Sequence, residues 1–300
     1  MNSEKPKISV VICAYNAAHC IEGILYSLQK QTFKDFEIVV ADDGSTDRTS
    51  EIAKAAGALV VNMTHQGLSA ARNVGINNSR AEIVAIIDSD CYASPQWLEE
   101  IHKEITNGEI VVTGNTMIPK SNFLGDCISG LGYPGGAHLG FEKMWKVDEN
   151  GYTNHLAGGN CAFIKKQIQD LGAFNETLTI TADDVYLSMK ILEKGFRIKY
   201  NPQIVMYHQP RKDLKSFVSW HYMRGRGSYF FKKHLSSMNT DFGQFYKLRL
   251  WSTKNMIKAY WKNPKILVML PLLVLSFATQ KVGYVMQFVE REIEINEKDT

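Results

Sequence analysis

The first 90 residues alternate short apolar runs with segments of helical spacing. The apolar runs are rich in β-branched residues and predict buried strands at 8–14, 36–41, 58–62 and 82–87. Between them, apolar residues recur with helical spacing over 17–30, 49–56 and 68–77. Strands and helices that alternate through short links are typical of a parallel sheet with helices on both faces. We therefore expect an α/β fold with a mostly parallel central sheet.

Polar residues follow three of these predicted strands. Tyr15 ends the first strand, the turn 42–45 follows the second, and Asp88-Ser89-Asp90 follows the fourth. Ligands of parallel sheets bind beyond the carboxyl ends of the strands. In an extended segment, residues i and i+2 point the same way, so Asp88 and Asp90 share a face. Two such carboxylates suit a hard divalent cation that neutralises a diphosphate leaving group.

The pattern is looser between residues 108 and 208. A glycine-rich stretch at 125–140 has few helix formers and predicts an active-site loop region. An acidic pair, Asp183-Asp184, then precedes a predicted helix at 185–194, and a strand is expected around 198–207. Paired acids also stabilise a helix N-terminus, so the residues alone leave the role of this pair open.

Charge is distributed unevenly along the chain. Residues 209–265 hold 13 lysines and arginines against two acids, a net charge of +11, whereas the whole chain carries +3 and the remainder therefore −8. A segment this basic needs an anionic neighbour, such as a membrane surface, nucleic acid or a phosphorylated substrate. No nucleic-acid recognition motif accompanies the charge, so we expect no nucleic-acid partner.

An apolar segment, 266–289, follows this basic region. Its first 13 residues are interrupted only by Pro271 and Ser276, and they fall short of the roughly 20 residues that span a bilayer. The whole segment reaches that length, with Gln280 and Lys281 inside it. A helix or helical hairpin buried against the protein fits this pattern, whereas the basic and aromatic residues upstream favour a membrane-surface or single-span helix. We expect residues 209–300 to form a basic, helical, membrane-associated region.

The five cysteines suggest the compartment. They are odd in number and show no C-x-x-C spacing, and residues 1–7 are polar without an apolar signal core. Both features favour a reducing setting for the catalytic part. We therefore expect the protein at the cytoplasmic face of the cell membrane, either peripheral or with a single span.

Together these motifs resemble glycosyltransferase family 2, inverting enzymes of the GT-A fold. The resemblance runs from residue 8 to residue 208 and includes, in the family's order, 9–16, 42–45, 67–73, 88–90, 158–160 and 183–184. It implies that residues 1–208 form a nucleotide-sugar-binding catalytic domain of GT-A type. It also implies transfer of a sugar from a nucleotide-diphosphate donor, most commonly a UDP-sugar, to a glycan or lipid-linked acceptor, with Mn²⁺ or Mg²⁺ as cofactor.

The resemblance also assigns roles on the donor side. It implies that Tyr15, Asp43 and Arg72 contact the nucleoside, where Tyr15 can stack on the base and the Asp43 carboxylate can accept hydrogen bonds. Asp90 would be the main metal carboxylate and His208 a further metal contact. A histidine at a strand end is also common on protein surfaces, so His208 has both interpretations.

On the acceptor side, the family's base is the second acid of an acidic pair before a helix, here Asp184. This chain has Asp183 where the family has Glu, and Tyr186 where the family has a further acid. Processive synthases of the family carry Gln-x-x-Arg-Trp beyond the base, and residues 221–225 keep only Arg224. Transfer of one sugar is therefore expected, with Arg224 closing over the donor diphosphate and Asp88 supporting its ribose or sugar.

Two other functions fit parts of the sequence. A nucleotidyltransferase also uses paired acids and a metal, and a nucleotide-sugar-binding protein without a working base would keep the same donor motifs. A dehydrogenase is disfavoured because no G-x-G-x-x-G follows the first strand. An oligomer is compatible with the sequence, which leaves the identity of the sugar and the acceptor open.

Overall fold

The computed structural model describes residues 5–178, 181–237 and 243–298. The chain divides into two compact units, the first made of Met1–Pro119, Trp145–Glu176 and Asp183–Gln209 and the second of Lys120–Met144, Thr177–Ala182 and Pro210–Thr300. The division at Gln209 lies next to the boundary expected from the change in charge. Residues 120–144 and 177–182, in contrast, were expected in the catalytic segment 1–208 and belong to the second unit.

Strands and helices are numbered here along the whole chain. The strands are β1 (Ile8–Ala14), β2 (Phe36–Asp42), β3 (Leu59–Asn62), β4 (Ile83–Ile87), β5 (Cys91–Ala93), β6 (Val111–Met117), β7 (Tyr152–Thr153), β8 (Asn160–Ile164) and β9 (Ile198–His208). The helices are α1 (Ile21–Gln29), α2 (Thr49–Ala55), α3 (Leu68–Asn78), α4 (Trp97–Thr106), α5 (Phe123–Gly130), α6 (Phe141–Met144), α7 (Lys165–Asp170), α8 (Asp183–Glu193), α9 (Leu214–Ser237), α10 (Gly243–Tyr260) and α11 (Ile266–Lys298).

The first unit contains one sheet with the strand order β3-β2-β1-β4-β8-β6-β9-β5, and β7 pairs with β9. Its first four strands in sequence are parallel, as predicted. The later part is mixed, because β8 lies antiparallel between β4 and β6. That pairing places Asn160 opposite Ile87, next to the Asp88–Asp90 segment. Likewise, β5 pairs with β9 so that Cys91 lies opposite His208.

Apolar packing on both faces holds this sheet between helices. Ile8, Val10 and Ile12 of β1 pack in one buried cluster with α1 and α4. Val11, on the opposite face of the same strand, belongs to the second cluster with residues of α3 and α8. This alternation follows from the two-residue period of a strand. A strand covered on both faces is continuously apolar, which is why 8–14 was recognisable from the sequence.

The second unit is helical. Residues 125–140 were expected as loop, but 125–130 lie in α5, so the glycine-rich stretch is partly helical. Helices α9 and α11 approach closely at Gly225, where an added Cβ would collide with the backbone of Gln280. The two apolar stretches of 266–289 lie in one continuous helix, α11. Within the described residues, α11 is the one helix that by length and composition could cross a membrane, over Ile266–Ile293.

Candidate active site

The carboxyl ends of β1 and β2 bring Tyr15 and Asp43 together with His65. The buried Asp43 carboxylate accepts hydrogen bonds from the backbone N–H groups of Gln66, at 2.8 Å, and Gly67, at 2.9 Å. Its Oδ2 also lies 2.9 Å from His65 Nδ1. Gly67 has φ +97°, a conformation that favours glycine and lets the loop turn toward the carboxylate. Asp43 therefore fixes the loop that precedes α3.

An aromatic pair lies beside this loop. The Tyr15 and His65 rings stack with their centroids 4.2 Å apart and their planes 27° from parallel. Half of the Tyr15 side chain is exposed, so the pair presents a flat surface to solvent. His65 carries no motif of its own and was not among the site residues predicted from the sequence. The one available signal was its position two residues before Gly67, where the family-like segment 67–73 begins.

Arg72 forms the charged centre of the first unit. Its guanidinium lies over the Phe174 ring at 5.0 Å, contacts Asp183 Oδ2 through Nη1, and lies 3.6 Å from Asp88 Oδ1 through Nη2. Both Arg72 and Asp183 are almost fully buried. Burial raises the pKa of the Asp183 and Asp88 carboxyls, and the positive charge of Arg72 offsets part of that rise. Arg72 thus links the end of β4 to the start of α8.

Two glycines allow the loop before β8 to close on these carboxylates. A Cβ added to Gly159 would collide with the Asp88 carboxylate. One added to Gly158 would lie 2.9 Å from Arg72 Nη1 and 2.9 Å from the Asp184 Cβ. In the sequence, residues 158–160 were marked only by the family resemblance. The structure supplies a physical reason, because any side chain there would displace the charged groups.

The acidic pair divides into one buried and one more accessible residue. Asp183 is 3% exposed and ion-paired with Arg72. Asp184 is only partly buried, and its Oδ1 accepts a hydrogen bond from the N–H of Val185 at 2.8 Å. Its Oδ2 has a longer contact, 3.4 Å, with the N–H of Gly158. Of the two carboxylates, Asp184 is the one placed to exchange a proton with a ligand.

Asp90 and His208 form a candidate metal centre. Their Oδ2 and Nε2 atoms lie 3.2 Å apart, and both residues group with Cys91 within 4.8 Å. His208 Nδ1 lies 2.7 Å from the carbonyl oxygen of Gln209, which can only accept, so Nδ1 carries a proton. The Nε2 lone pair of a neutral imidazole then faces a carboxylate, an arrangement that a cation or a proton between them stabilises.

The donor types at this centre fit Mn²⁺ or Mg²⁺ in part. A carboxylate and an imidazole nitrogen suit Mn²⁺, whereas Mg²⁺ prefers oxygen alone. Burial, together with the charge of Asp90, raises the pKa of the Cys91 thiol well above its ordinary value. A thiol is moreover a soft ligand, which hard cations such as Mn²⁺ and Mg²⁺ do not favour. Asp90, 39% exposed at its side chain, and His208 remain as the two candidate ligands.

Arg224 lies in the second unit, on α9. Its guanidinium carbon is 4.7 Å from the centroid of the Trp220 ring and 5.6 Å from that of Tyr133. Its contact with a donor diphosphate stays a prediction.

Comparison with known proteins adds independent findings. A profile described as Glycosyl transferase family 2 matches residues 9–166. Glycosyltransferase AglE of Haloferax volcanii is 28% identical over 241 residues, which cover 76% of this chain and 74% of that protein.

Solved structures share the fold. Mannosyltransferase PcManGT from Pyrobaculum calidifontis, in complex with GDP-Man and Mn²⁺, has a TM-score of 0.57 at 19% identity and covers 98% of this chain and 81% of its own. S. aureus TarS 1-349 in complex with UDP-GlcNAc has a TM-score of 0.52 at 19% identity over 95% of this chain and 92% of its own. These likenesses confirm the expected α/β fold of GT-A type. Because the family profile covers more than half of the chain, this protein belongs to glycosyltransferase family 2.

Proposed function

We propose that this glycosyltransferase moves one sugar from a nucleotide-diphosphate donor to a glycan or lipid-linked acceptor, with inversion at the anomeric carbon. The chief support is the arrangement of four carboxylates at one end of the sheet. Arg72 neutralises the buried Asp183 and lies near Asp88, while Asp90 and Asp184 keep exposed surface. The site can therefore hold a cation at Asp90 and accept a proton at Asp184.

Tyr15, Asp43 and Arg72 form the nucleoside side of the proposed site, with Asp88 beside the ribose or the sugar. The exposed stack of Tyr15 on His65 offers a flat surface for a base. The mannosyltransferase was solved with GDP-Man and TarS with UDP-GlcNAc, so both relatives of this fold hold nucleoside diphosphate sugars. A uridine donor follows from the family resemblance.

Asp90 and His208 would hold Mn²⁺ or Mg²⁺. When bound, a divalent cation offsets the negative charge that develops on the departing diphosphate. Asp184 would act as general base. An acceptor oxygen bonds to the anomeric carbon on the face opposite the diphosphate, the bond from carbon to diphosphate oxygen breaks, and the acceptor proton passes to the Asp184 carboxylate. Asp183 is less suited to this step because it is buried and its carboxylate is already in contact with Arg72.

Substitution of Asp184 tests the proposed base. Asp184→Asn should lower kcat by about 10² to 10⁴-fold, the usual contribution of a general base, while nucleoside diphosphate affinity stays unchanged. Glu193→Gln, at the exposed far end of α8, is the matched control and should keep wild-type turnover. Normal turnover by Asp184→Asn would exclude Asp184 as the base, and release of pyrophosphate by the wild type would point to a nucleotidyltransferase.

We further propose that the second unit associates with the cytoplasmic face of a membrane, as a peripheral or single-span protein. Several large apolar side chains of α11 are exposed, among them Leu267 at 74%, Val274 at 68% and Val282 at 55%. The charge of +11 over residues 209–265 would favour an anionic leaflet. Flotation with anionic vesicles should recover the full chain, and alkaline washing should release it only if it is peripheral. Recovery wholly in the soluble fraction, without vesicle binding, would contradict this placement.

A further inference from the structure

Arginine side chains and aromatic rings converge in the second unit. The guanidinium carbons of Arg211 and Arg224 lie 4.5 and 4.7 Å from the centroid of the Trp220 ring, and Arg224 also lies near Tyr133. Stacking on a ring fixes the plane of a guanidinium and leaves the N–H groups at its edge able to donate.

A third arginine reaches the same place through a hydrogen-bonded chain. Arg249 packs on the Phe277 ring at 3.9 Å, and its Nη1 lies 3.4 Å from Gln280 Oε1. Gln280 in turn donates from Nε2 to Nδ1 of His221 at 2.8 Å. The His221 ring lies 4.8 Å from the Trp220 ring. We name Arg211, Arg224 and Arg249, with Trp220 and His221, the arginine cluster.

Within the described part of the chain, Arg249 and His221 hold buried hydrogen-bond donors without acceptors. Among the described residues, neither Arg224 nor Arg249 has a carboxylate within ion-pair distance. Arg226, which lies on the same helix as Arg224, does pair with Glu290. The Nε atom of Arg249 and the Nε2 atom of His221 are buried without an acceptor in the described part of the chain. Because Nδ1 of His221 accepts from Gln280, a neutral His221 carries its proton on that Nε2. Buried N–H groups normally have acceptors, so two such groups in one place call for an explanation.

The electrostatics agree with this geometry. Burial, followed by the positive charges of Arg224, Arg249 and Arg211, lowers the pKa of His221 to about 3. His221 is therefore neutral at physiological pH. An anion with several acceptor oxygens would supply both the missing negative charge and the missing acceptors, and phosphate is the group that planar guanidiniums bind best.

The position of the cluster selects the kind of phosphate. Phe277 and Gln280, which contact Arg249 and His221, belong to α11, the helix with the length and composition to cross a membrane. We propose that the arginine cluster binds the phosphate group of a phosphorylated lipid. The inference rests on the proposed function in taking a lipid-linked acceptor as one source of that phosphate, the other being a lipid headgroup. It assigns Arg224 to a different phosphate from the donor diphosphate expected from the sequence.

Binding to the full chain in detergent micelles tests the proposal. Calorimetric titrations would use a long-chain isoprenoid monophosphate, the matching isoprenoid alcohol, phosphatidic acid, and free UDP and GDP. Arg224→Gln and Arg249→Gln should each weaken binding of the isoprenoid monophosphate at least about tenfold, the usual loss of a hydrogen bond to a charged group. The alcohol should bind weakly to every variant. Lys258→Gln, which removes one exposed positive charge from α10, should change affinity less than about twofold.

The outcomes separate the two sources. Loss for the isoprenoid monophosphate with phosphatidic acid unaffected supports an acceptor lipid, and equal loss for both supports a headgroup. Unchanged binding of both lipids, or loss confined to UDP and GDP, overturns the proposal. If circular dichroism shows that Arg249→Gln does not fold, the test of phosphate binding rests on Arg224→Gln and the charge-preserving Arg224→Lys. The titrations need no turnover, so they remain informative if Asp184→Asn shows the proposed base to be wrong.

Discussion

The charged end of the sheet in the first unit and the arginine cluster in the second unit hold charge in opposite ways. In the first unit, the buried Arg72 and Asp183 form an ion pair, and Arg72 also lies 3.6 Å from Asp88. In the arginine cluster, Arg224 lies on aromatic rings and Arg249 on Phe277 and an amide oxygen. Among the described residues, neither Arg224 nor Arg249 has a carboxylate within ion-pair distance.

We infer from this difference that the paired charges of the first unit stabilise the protein, whereas the arginines of the cluster bind a ligand. Burying two charges costs desolvation free energy. Their mutual attraction offsets this cost only while both partners are present. Arg72 is therefore balanced by two acids, and Asp90, beside the same group, is the exposed carboxylate that we propose for the cation. An unbalanced positive group recovers its desolvation cost only when an anion binds. Three predictions test this contrast.

The largest effect is expected from removing one arginine of each kind. Arg72→Met leaves Asp183 buried without a counter-charge and removes the positive charge near the partly exposed Asp88. It should lower the free energy of unfolding by about 3–5 kcal/mol. Arg224→Met removes the guanidinium that lies over Trp220 but leaves no acid unpaired, and it should cost less than about 1 kcal/mol. Chemical denaturation followed by circular dichroism would measure both losses.

A double substitution checks the reason for that difference. Arg72→Met combined with Asp183→Asn should recover part of the loss, because no unpaired charge remains at that position. If Arg72→Met and Arg224→Met destabilise the protein equally, the two regions do not differ in how their charge is balanced.

The second effect concerns ligand binding at the exposed carboxylate. A nucleoside diphosphate with Mn²⁺ should stabilise the wild type by about 2.7 kcal/mol at a ligand concentration 100-fold above Kd. Asp90→Ala should abolish the part of this stabilisation that depends on the metal. Asp170→Ala, an exposed acid of α7 paired with Lys166, should leave it intact. A metal-dependent thermal shift that survives in Asp90→Ala would remove Asp90 from the metal site.

The sequence predicted which residues an individual strand places at the charged end of the sheet. The apolar run 82–87 and the triplet after it were sufficient to place Asp88 and Asp90 at a strand end, and the structure has β4 there. The partner of Arg72 was not predictable in this way, since Asp183 lies 111 residues away along the chain. The start of α8 follows the antiparallel strand β8 along the chain. No local sequence pattern predicts that this helix start lies at the end of β4.

The arginine cluster was even less predictable from the sequence than the partner of Arg72. The composition predicted that this segment is basic and aromatic. It did not predict which of these residues lie together in space. His221 and Gln280 are 59 residues apart and meet only because α9 packs closely on α11 at Gly225. Glycine at that position was visible in the sequence, but its meaning depends on a helix that follows more than 40 residues later.

The smallest predicted effect is a pH dependence of opposite sign in the two regions. Burial raises the pKa of Asp183 above its ordinary value of 3.8 and lowers that of His221 from 6.5 to about 3. Between 3.8 and its raised pKa, Asp183 holds a proton in the folded state that the unfolded chain has released. Its contribution to the free energy of unfolding therefore falls as pH rises through that window. For His221 the unfolded chain binds the extra proton between about pH 3 and 6.5, so its contribution is lost as pH falls below 6.5.

Denaturation at a series of pH values from about 4 to about 7 would measure both signs, each with a slope of at most about 1.4 kcal/mol per pH unit. On acidification the wild type should gain stability relative to Asp183→Asn and lose stability relative to His221→Gln. Taking differences between wild type and variant at each pH removes the titration of all other groups, provided that the two variants keep the wild-type fold by circular dichroism. If both differences change in the same direction, the contrast is wrong for at least one region. If neither changes, the burial of these two groups does not control their protonation.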